Sequence, residues 1–277
     1  MPDLSQNISV RILKAAEAGG YGLPGVVCYN LEAIIACRKA AEAKNSPCQI
    51  LLFPWAQDYG YDNLVNLAAD SEEAIKRAAQ TGKFDSIMVD MSHYEKAENL
   101  SRTTDLVAYC HGLGIATEAE PGRINGGEAG VQDTGDLEGI LTTPEEALQF
   151  IKTGIDFLAP AIGNVHGAYN GVENIKLDFE RLKGIREAAK GKVTLVMHGT
   201  NEFTADIFRQ CVQAGMTRLN VNQVVLCNYE QYAAQKAGRT PLTEYMEEGT
   251  RLIQERIEWM MDAVGSTGKA GDVKLER

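Results

Sequence analysis

The sequence predicts an α/β fold, specifically a (β/α)8 TIM barrel built around a parallel sheet. Short apolar runs alternate with longer amphipathic segments along the chain, which is the pattern of repeated βα units. Several of the amphipathic segments open on a clear helix start signal, for example Thr143-Pro144-Glu-Glu. Barrels of this class reach about 250 residues or more as one domain. The 277 residues therefore fit a single barrel.

Seven apolar runs are typical of strands and an eighth is weak. The clear strands are predicted at 24–30, 48–54, 86–91, 115–121, 157–163, 194–200 and 218–223, and the weak one at 64–67. Helices are predicted at about 31–45, 71–82, 95–112, 143–153, 178–190, 203–214, 224–236 and 242–264. We expect one domain over residues 1–265 and a flexible C-terminal tail over 266–277.

Composition and charge exclude several classes of function. The chain is 44% hydrophobic and 23% charged, and its formal net charge of −11 disfavours nucleic acid or an anionic membrane as a partner. It contains no apolar run long enough to span a bilayer and no basic, apolar leader at Met1, so we expect a cytoplasmic protein. The six cysteines have no CxxC spacing, which predicts reduced, mostly buried thiols.

Two of the four histidines lie where an apolar strand runs into a glycine. The two segments are Gly163-Asn-Val-His166-Gly-Ala-Tyr169 and Leu195-Val-Met-His198-Gly-Thr200. The C-terminal ends of barrel strands meet at one face, and two neutral imidazoles there can share a metal ion. A single histidine at a strand end more often bonds a backbone carbonyl, but two matched copies favour a metal site.

Other polar residues also follow the predicted strands. They are Asn30, Asp90, Ser92, His93, Glu118, Glu120, Asn164, residues 198–201, Asn220 and Asn222. Any one of them taken alone is better explained by a hydrogen bond to loop backbone. Together with the two histidines they predict a metal-assisted active site at the strand ends.

These segments resemble the motifs of one enzyme family. Residues 84–93 resemble its fourth-strand signature, Thr117-Glu-Ala-Glu-Pro-Gly122 and Gly126-Gly-Glu128 resemble its acidic strand and loop, and Arg218-Leu-Asn-Val-Asn222 completes the series. Their order and spacing are similar to those of the class II, metal-dependent fructose-bisphosphate aldolases and their ketose-bisphosphate relatives. The resemblance implies reversible aldol cleavage of a ketose phosphate or related hydroxy-carbonyl compound, with Zn²⁺ or another divalent metal polarising the carbonyl.

The resemblance also implies roles for individual residues. His166 and His198 would be metal ligands, with Glu120 a carboxylate of the metal region. Glu128 would transfer the proton on the ketone half, and Asn220 would orient the substrate. The implied substrate or phosphate contacts are Gly167, Gly199, Thr200, Asn201 and Asn222. Members of the family are usually dimers or tetramers, which implies a homo-oligomer acting on a small sugar-like molecule.

One family motif is missing. Relatives carry His-Leu-Asp-His at the end of the third strand, which provides a catalytic acid and the third histidine ligand. One alignment puts residues 66–69 in its place, and a second, shifted by two residues, puts Ala68-Ala69-Asp70 just after a lost motif. Both alignments lack the acid and the ligand. We therefore expect impaired activity, and the alternative is a non-catalytic binding or interaction protein.

The loss extends beyond this motif. Only the nine residues 55–63 separate the second strand from the weak third one. A parallel crossover with its helix needs at least about ten to twelve residues. We expect the barrel to be incomplete around its second helix and third strand, through divergence, splicing or a faulty gene sequence. Open strand edges predict low stability or a compensating partner chain.

The phosphate-binding loops also depart from the family. The chain reads His198-Gly-Thr-Asn201 and Asn220-Val-Asn-Gln223, and Asn170 stands where a lysine is common. Ala129 follows Glu128 where relatives usually have an acid. These differences favour a singly phosphorylated or unphosphorylated substrate over fructose 1,6-bisphosphate.

Overall fold

The protein is described by a computed structural model that covers residues 3–53, 68–69, 72–127 and 139–273. Its strands are β1 (Leu23–Val27), β2 (Gln49–Leu51), β3 (Ala68–Ala69), β4 (Ser86–Val89), β5 (Ala116–Ala119), β6 (Phe157–Leu158), β7 (Thr194–Met197) and β8 (Met216–Val221). All of the strands pair in parallel with their neighbours.

Helices separate most of these strands. They are α1 (Ile8–Gly19), α2 (Leu31–Lys44), α3 (Glu72–Gln80), α4 (Lys96–Gly112), α5 (Pro144–Ile151), α6 (Phe179–Ala189), α7 (Ala205–Gln213), α8 (Gln223–Lys236) and α9 (Leu242–Val264). Each helix that the sequence predicted, from α2 to α9, is confirmed. In the described parts of the chain, no helix is both long and apolar enough to cross a membrane.

The sheet follows the strand order of a TIM barrel but is open at one position. The order is β2-β1-β8-β7-β6-β5-β4-β3, so β1 pairs with β8 as barrel closure requires. No pairing joins β2 to β3 within the described residues. The predicted (β/α)8 fold, incomplete between its second and third strands, is confirmed. The predicted strand at 64–67 and the segment predicted to lack a helix lie outside the described residues.

The register of β1 against β8 makes room for polar side chains inside the barrel. Gly25 lies opposite Asn220, and a Cβ atom on Gly25 would meet the Asn220 Oδ1 atom at 2.6 Å. The same Cβ would lie 3.2 Å from Cδ of Arg218. A strand glycine marks a close approach of this kind. Gly25 therefore admits two polar residues of β8 to the barrel interior.

Helix α1, which no sequence pattern predicted, covers one end of the barrel. Asn7 caps it and also donates hydrogen bonds to the carbonyls of Asp85 and Gly114, which precede β4 and β5. Val10 and Leu13 of α1 pack with buried residues of the strand region. This helix precedes the first βα unit, so the βα pattern did not predict it. It stabilises the end of the barrel opposite the predicted site.

The last helix packs on the barrel. Helix α9 buries Ile253, Ile257, Met260 and Met261 and contacts α2, α7 and α8. The Trp259 ring lies edge-on to Phe208 of α7, with ring centroids 6.0 Å apart. The helix predicted at 242–264 therefore covers the outside of the barrel.

Residues directly beyond α9 are hydrogen-bonded to the C-terminal end of α2. Ser266 is buried and accepts a 2.7 Å hydrogen bond from the Ser46 hydroxyl, and the Gly268 amide donates to the carbonyl of Lys44.

The six cysteines are free thiols, and four of them are buried, at Cys28, Cys37, Cys110 and Cys211. Reduced thiols were predicted from their spacing.

Met260 provides a test of the α9 packing. Its side chain is fully buried, so Met260→Ala should lower the free energy of unfolding by about 2–5 kcal/mol, through lost burial and an unfilled cavity. Met246→Ala on the same helix is the matched control, because Met246 is 41% exposed and its loss should change stability by less than about 0.5 kcal/mol. Urea unfolding monitored by circular dichroism measures both. Equal effects would contradict the packing.

Candidate active site

Two histidines meet at the C-terminal ends of neighbouring strands. His198 directly follows β7, and His166 lies in the loop after β6. Their ring centroids are 6.0 Å apart with 51° between the ring planes. The Asn164 amide donates to the His198 carbonyl at 3.0 Å and ties the two loops together. The structure thus brings the two predicted histidines to one place.

The His166 ring is held by backbone. It bonds the backbone of Ile124, and its own backbone amide donates to the Asn125 carbonyl at 2.8 Å. Desolvation by burial, with a smaller contribution from His198, lowers the pKa of His166 well below its usual range. The ring is therefore neutral at neutral pH. A neutral imidazole that donates one N–H to a carbonyl keeps a lone pair on its other nitrogen.

The His198 ring is held by a carboxylate. Its Nε2 atom lies 2.8 Å from Oε1 of Glu118, which reaches across from β5. The second carboxylate oxygen of Glu118 forms a buried ion pair with Arg218 of β8. Burial tends to raise the pKa of Glu118, but the Arg218 charge and the hydrogen bond from His198 outweigh it and lower the pKa to about 2. Glu118 is therefore ionised.

Asn220 lies beside the same ring. Its Oδ1 atom accepts a 2.9 Å hydrogen bond from Nε of Arg218, and its Nδ2 atom lies 2.9 Å from Nε2 of His198. Nη1 of Arg218 donates to Oε1 of Gln49 on β2 at 3.2 Å. Arg218 therefore joins three strands around the predicted site. Neither Arg218 nor Glu118 had a role predicted from the sequence.

Glu120 directly follows β5 and is buried. Its Oε1 atom accepts a 2.6 Å hydrogen bond from the Ile124 amide, while Oε2 has no hydrogen-bond partner among the described residues. Desolvation and the nearby Asp90 carboxylate raise the pKa of Glu120 well above its ordinary value. A buried oxygen without a partner is unusual and fits a site that receives a further group.

The donor set fits part of a metal site. His166 and His198 can supply two imidazole ligands, which suit zinc and other divalent transition metals. Over residues 3–53, 68–69, 72–127 and 139–273, however, no three His, Cys, Asp or Glu side chains converge closely enough to hold an ion. Completion of the ligand shell by Glu120 stays a prediction. Glu128, the predicted proton-transfer residue, lies outside the described residues.

The predicted phosphate contacts are largely engaged within the protein. The Thr200 hydroxyl donates to the Asn220 carbonyl at 2.6 Å, and the Asn222 amide donates to the Tyr29 hydroxyl at 2.7 Å. Asn201 is buried. These three residues line the ends of β7 and β8, as predicted from the sequence.

The two predicted glycines have a structural role. Both have positive φ, 92° at Gly167 and 62° at Gly199. A Cβ atom on Gly199 would lie 2.3 Å from the Val165 carbonyl oxygen, and one on Gly167 would lie 2.7 Å from that of Gly127. Any side chain at either position would clash with backbone. Gly199 therefore lets the His198 loop pack directly on the His166 loop, and Gly167 lets the His166 loop pack on the loop after β5.

A carboxylate that the sequence analysis missed clamps these loops. Glu202, two residues beyond Thr200, accepts hydrogen bonds from the amides of Tyr169, Asn170 and Gly171 at 2.9, 3.1 and 2.7 Å. Glu202 has φ of 62°, an unusual backbone conformation for a residue with a side chain. Three successive backbone amides around one carboxylate form an anion-binding nest that the protein fills itself.

Tyr169 reinforces the Glu202 clamp. Its hydroxyl donates to the Gly199 carbonyl at 2.6 Å and accepts from the Val165 amide at 3.0 Å. The backbone on both sides of His166 is therefore fixed to the loop that carries His198. Sequence reasoning had no signal for this contact, because it depends on two loops that are about thirty residues apart and meet only in the folded barrel.

The Glu202 clamp predicts a stability effect. Glu202→Ala removes the acceptor of three amides without relieving the positive φ, so the free energy of unfolding should fall by about 1–3 kcal/mol. Glu187→Ala, at an exposed glutamate of α6, is the control and should have little effect. Urea denaturation compares the two variants, and an unchanged midpoint for Glu202→Ala would rule out the clamp as a stabilising feature.

The chain is similar to known proteins along nearly its whole length. The family model described as class II fructose-bisphosphate aldolase matches residues 8–269. A Coccidioides immitis protein named "Putative fructose-bisphosphate aldolase" is 48% identical over 293 residues, covering 97% of each chain. The fructose-bisphosphate aldolase of Streptococcus pneumoniae is 32% identical, covering 94% of this chain and 98% of the relative.

A solved structure shows the same likeness. A crystal structure of a C. immitis protein of that description superposes with a TM-score of 0.90 at 48% identity, covering 96% of this chain and 99% of that one. The motifs at the strand ends, the barrel order and the match along nearly the whole chain agree. The chain belongs to the class II fructose-bisphosphate aldolase family.

Proposed function

We propose that the strand ends bind a divalent metal through His166 and His198 and catalyse reversible aldol cleavage of a ketose phosphate or related hydroxy-carbonyl compound. The observation that carries the proposal is the convergence of the two rings, 6.0 Å apart, each oriented by its own hydrogen bond. Membership of a family of aldolase-type lyases supports the reaction class.

Each part of the site has a chemical task in this proposal. Zn²⁺ or another divalent ion would polarise the substrate carbonyl and stabilise the negative charge that develops as the carbon–carbon bond breaks. Asn220, held through its carbonyl oxygen by Arg218, presents its amide towards the ring of His198 and orients the substrate. Glu120 supplies a buried carboxylate to the metal region.

We further propose that this chain catalyses the reaction slowly. It lacks the His-Leu-Asp-His motif, and its described residues bring together no third protein ligand. The alignment with the C. immitis relative runs over 293 residues, more than the 277 residues of this chain, so the relative has residues without a counterpart here. Loss of a positioned acid or base typically costs about 10²–10⁴-fold in rate.

The proposed substrate carries one phosphate or none. A phosphate site needs free hydrogen-bond donors, and the donors of Thr200 and Asn222 are engaged with Asn220 and Tyr29. Arg218 is buried and paired with Glu118, so it offers no charge to a phosphate. Gly167 and Gly199 provide only backbone contacts.

The proposal also covers the oligomeric state, the location and the partners of the protein. We expect a homodimer or homotetramer in the cytoplasm, acting on a small sugar-like molecule and binding neither nucleic acid nor membrane. Multi-angle light scattering after size-exclusion chromatography measures the oligomeric state directly.

Metal content tests the proposed site. Protein purified with added Zn²⁺ should carry about one ion per chain by elemental analysis, because two oriented imidazoles and water can hold zinc. His166→Ala and His198→Ala should each lose the ion, whereas His111→Gln, at a buried histidine bonded to Asp156 away from the strand ends, should keep it. A folded protein without metal would overturn the proposal and favour a non-catalytic binding protein.

Substrate preference tests the phosphate argument. With zinc bound, retro-aldol kcat/KM for a ketose 1-phosphate should exceed that for fructose 1,6-bisphosphate by about tenfold or more. The reason is that the second phosphate of the bisphosphate would lack at least one favourable contact, and a tenfold ratio corresponds to about 1.4 kcal/mol. Coupled detection of the released triose measures both rates. Faster cleavage of the bisphosphate would show that the phosphate loops are functional.

A further inference from the structure

We propose that Glu118, held in place by Arg218, is a positioning residue that keeps the proton of His198 on Nε2 and thereby presents Nδ1 as the metal-binding nitrogen. The inference rests on the proposed function, since it concerns how His198 would meet the ion. It assigns roles to two buried residues that take no direct part in the proposed metal shell.

The pair spans the interior of the barrel. Glu118 lies on β5 and Arg218 on β8, and the side chains of both are almost completely buried. Removing two charges from water is costly, and their attraction repays the cost only when further hydrogen bonds satisfy the remaining donors and acceptors. Here those bonds go to His198, Asn220 and Gln49. The ion pair is thus built around the side chains of the proposed site.

Two groups compete for Nε2 of His198. The Glu118 carboxylate lies 2.8 Å away and the Asn220 amide nitrogen 2.9 Å away. A carboxylate accepts, so it requires a proton on Nε2, whereas an amide nitrogen donates and requires a lone pair there. Hydrogen bonds to an ionised acceptor are about twice as strong as neutral ones. The buried ion pair with Arg218 keeps Glu118 in its charged form, so it acts as an acceptor. The carboxylate therefore decides the tautomer.

The tautomer decides which nitrogen can bind metal. A neutral imidazole carries one proton, so protonation of Nε2 leaves the lone pair on Nδ1. A carboxylate or carbonyl on the far nitrogen is the usual way in which proteins orient a metal-binding histidine. His166 follows the same arrangement with the backbone of Ile124. Both rings of the pair are then fixed with one lone pair available.

Arg218 connects this arrangement to the rest of the barrel. Its guanidinium bonds Glu118 of β5, Asn220 of β8 and Gln49 of β2 at the same time. Loss of any one of these contacts would leave Glu118 freer to rotate away from His198. The orientation of His198, a proposed ligand directly after β7, is therefore linked to β2, the strand at the open edge of the sheet.

Zinc affinity of the full chain tests the proposal. Competition with a chromophoric chelator should show Glu118→Gln binding Zn²⁺ about 10–100-fold more weakly than the wild type, because an amide can donate to Nε2 and move the proton to Nδ1. Glu146→Gln is the matched control: Glu146 is also a buried, ion-paired carboxylate, but it belongs to the capping box of α5. It should bind zinc as the wild type does. Equal affinity for Glu118→Gln and wild type would overturn the assignment.

A second measurement does not depend on the variant folding. Long-range ¹H–¹⁵N correlation spectra of the metal-free wild type should show the His198 ring protonated on Nε2 and unprotonated on Nδ1. A ring protonated on Nδ1 would overturn the proposal. If the wild type binds no zinc, the proposed function fails, whereas the tautomer of His198 is still decided by this spectrum. The two failures are therefore distinguishable.

Discussion

The buried ion pair between Arg218 and Glu118 is the interaction on which the geometry of the candidate site depends. It crosses the barrel from β8 to β5 and fixes one ring nitrogen of His198 and the amide of Asn220. Gly25 of β1 makes the space for these side chains, because any larger residue there would clash with Asn220. The polar interior is therefore a consequence of strand register as much as of residue type.

The loops above the barrel impose a second constraint. The loop of His198 packs backbone against backbone on the loop of His166, which requires glycine at Gly199, and the His166 loop packs in the same way on Gly127, which requires glycine at Gly167. Glu202 and Tyr169 then bind the loops together through amides and carbonyls of the main chain. The Glu202 carboxylate and the Tyr169 hydroxyl each bond several main-chain groups, so they fix the backbone that carries the two rings. Such rigidity is what a metal site or an oriented substrate needs.

Parts of this arrangement could be predicted and parts could not. Helices and strands followed from apolar periodicity, and the two histidines from their place at strand ends. Arg218 had a usable signal: it is a charged residue in a buried strand, two positions before Asn220 and so on the same face. Helix α1 and Glu202 had no such signal, because each acquires its role only from residues far away in the chain. The open position between β2 and β3 was foreseen from a connection too short for a crossover.

The sequence by itself determined the family, the barrel class and the identity of the candidate ligands, since these follow from motifs and from periods of about 2 and 3.6 residues. Only the tertiary structure decided which groups hold those ligands. Glu118 and His198 are separated by 80 positions, and Arg218 and Glu118 by 100. Contacts between residues so far apart in the sequence depend on how the sheet curls and on which side chains fit inside it. Local sequence therefore specified the chemical groups, and the closing of the strands around them specified their orientation.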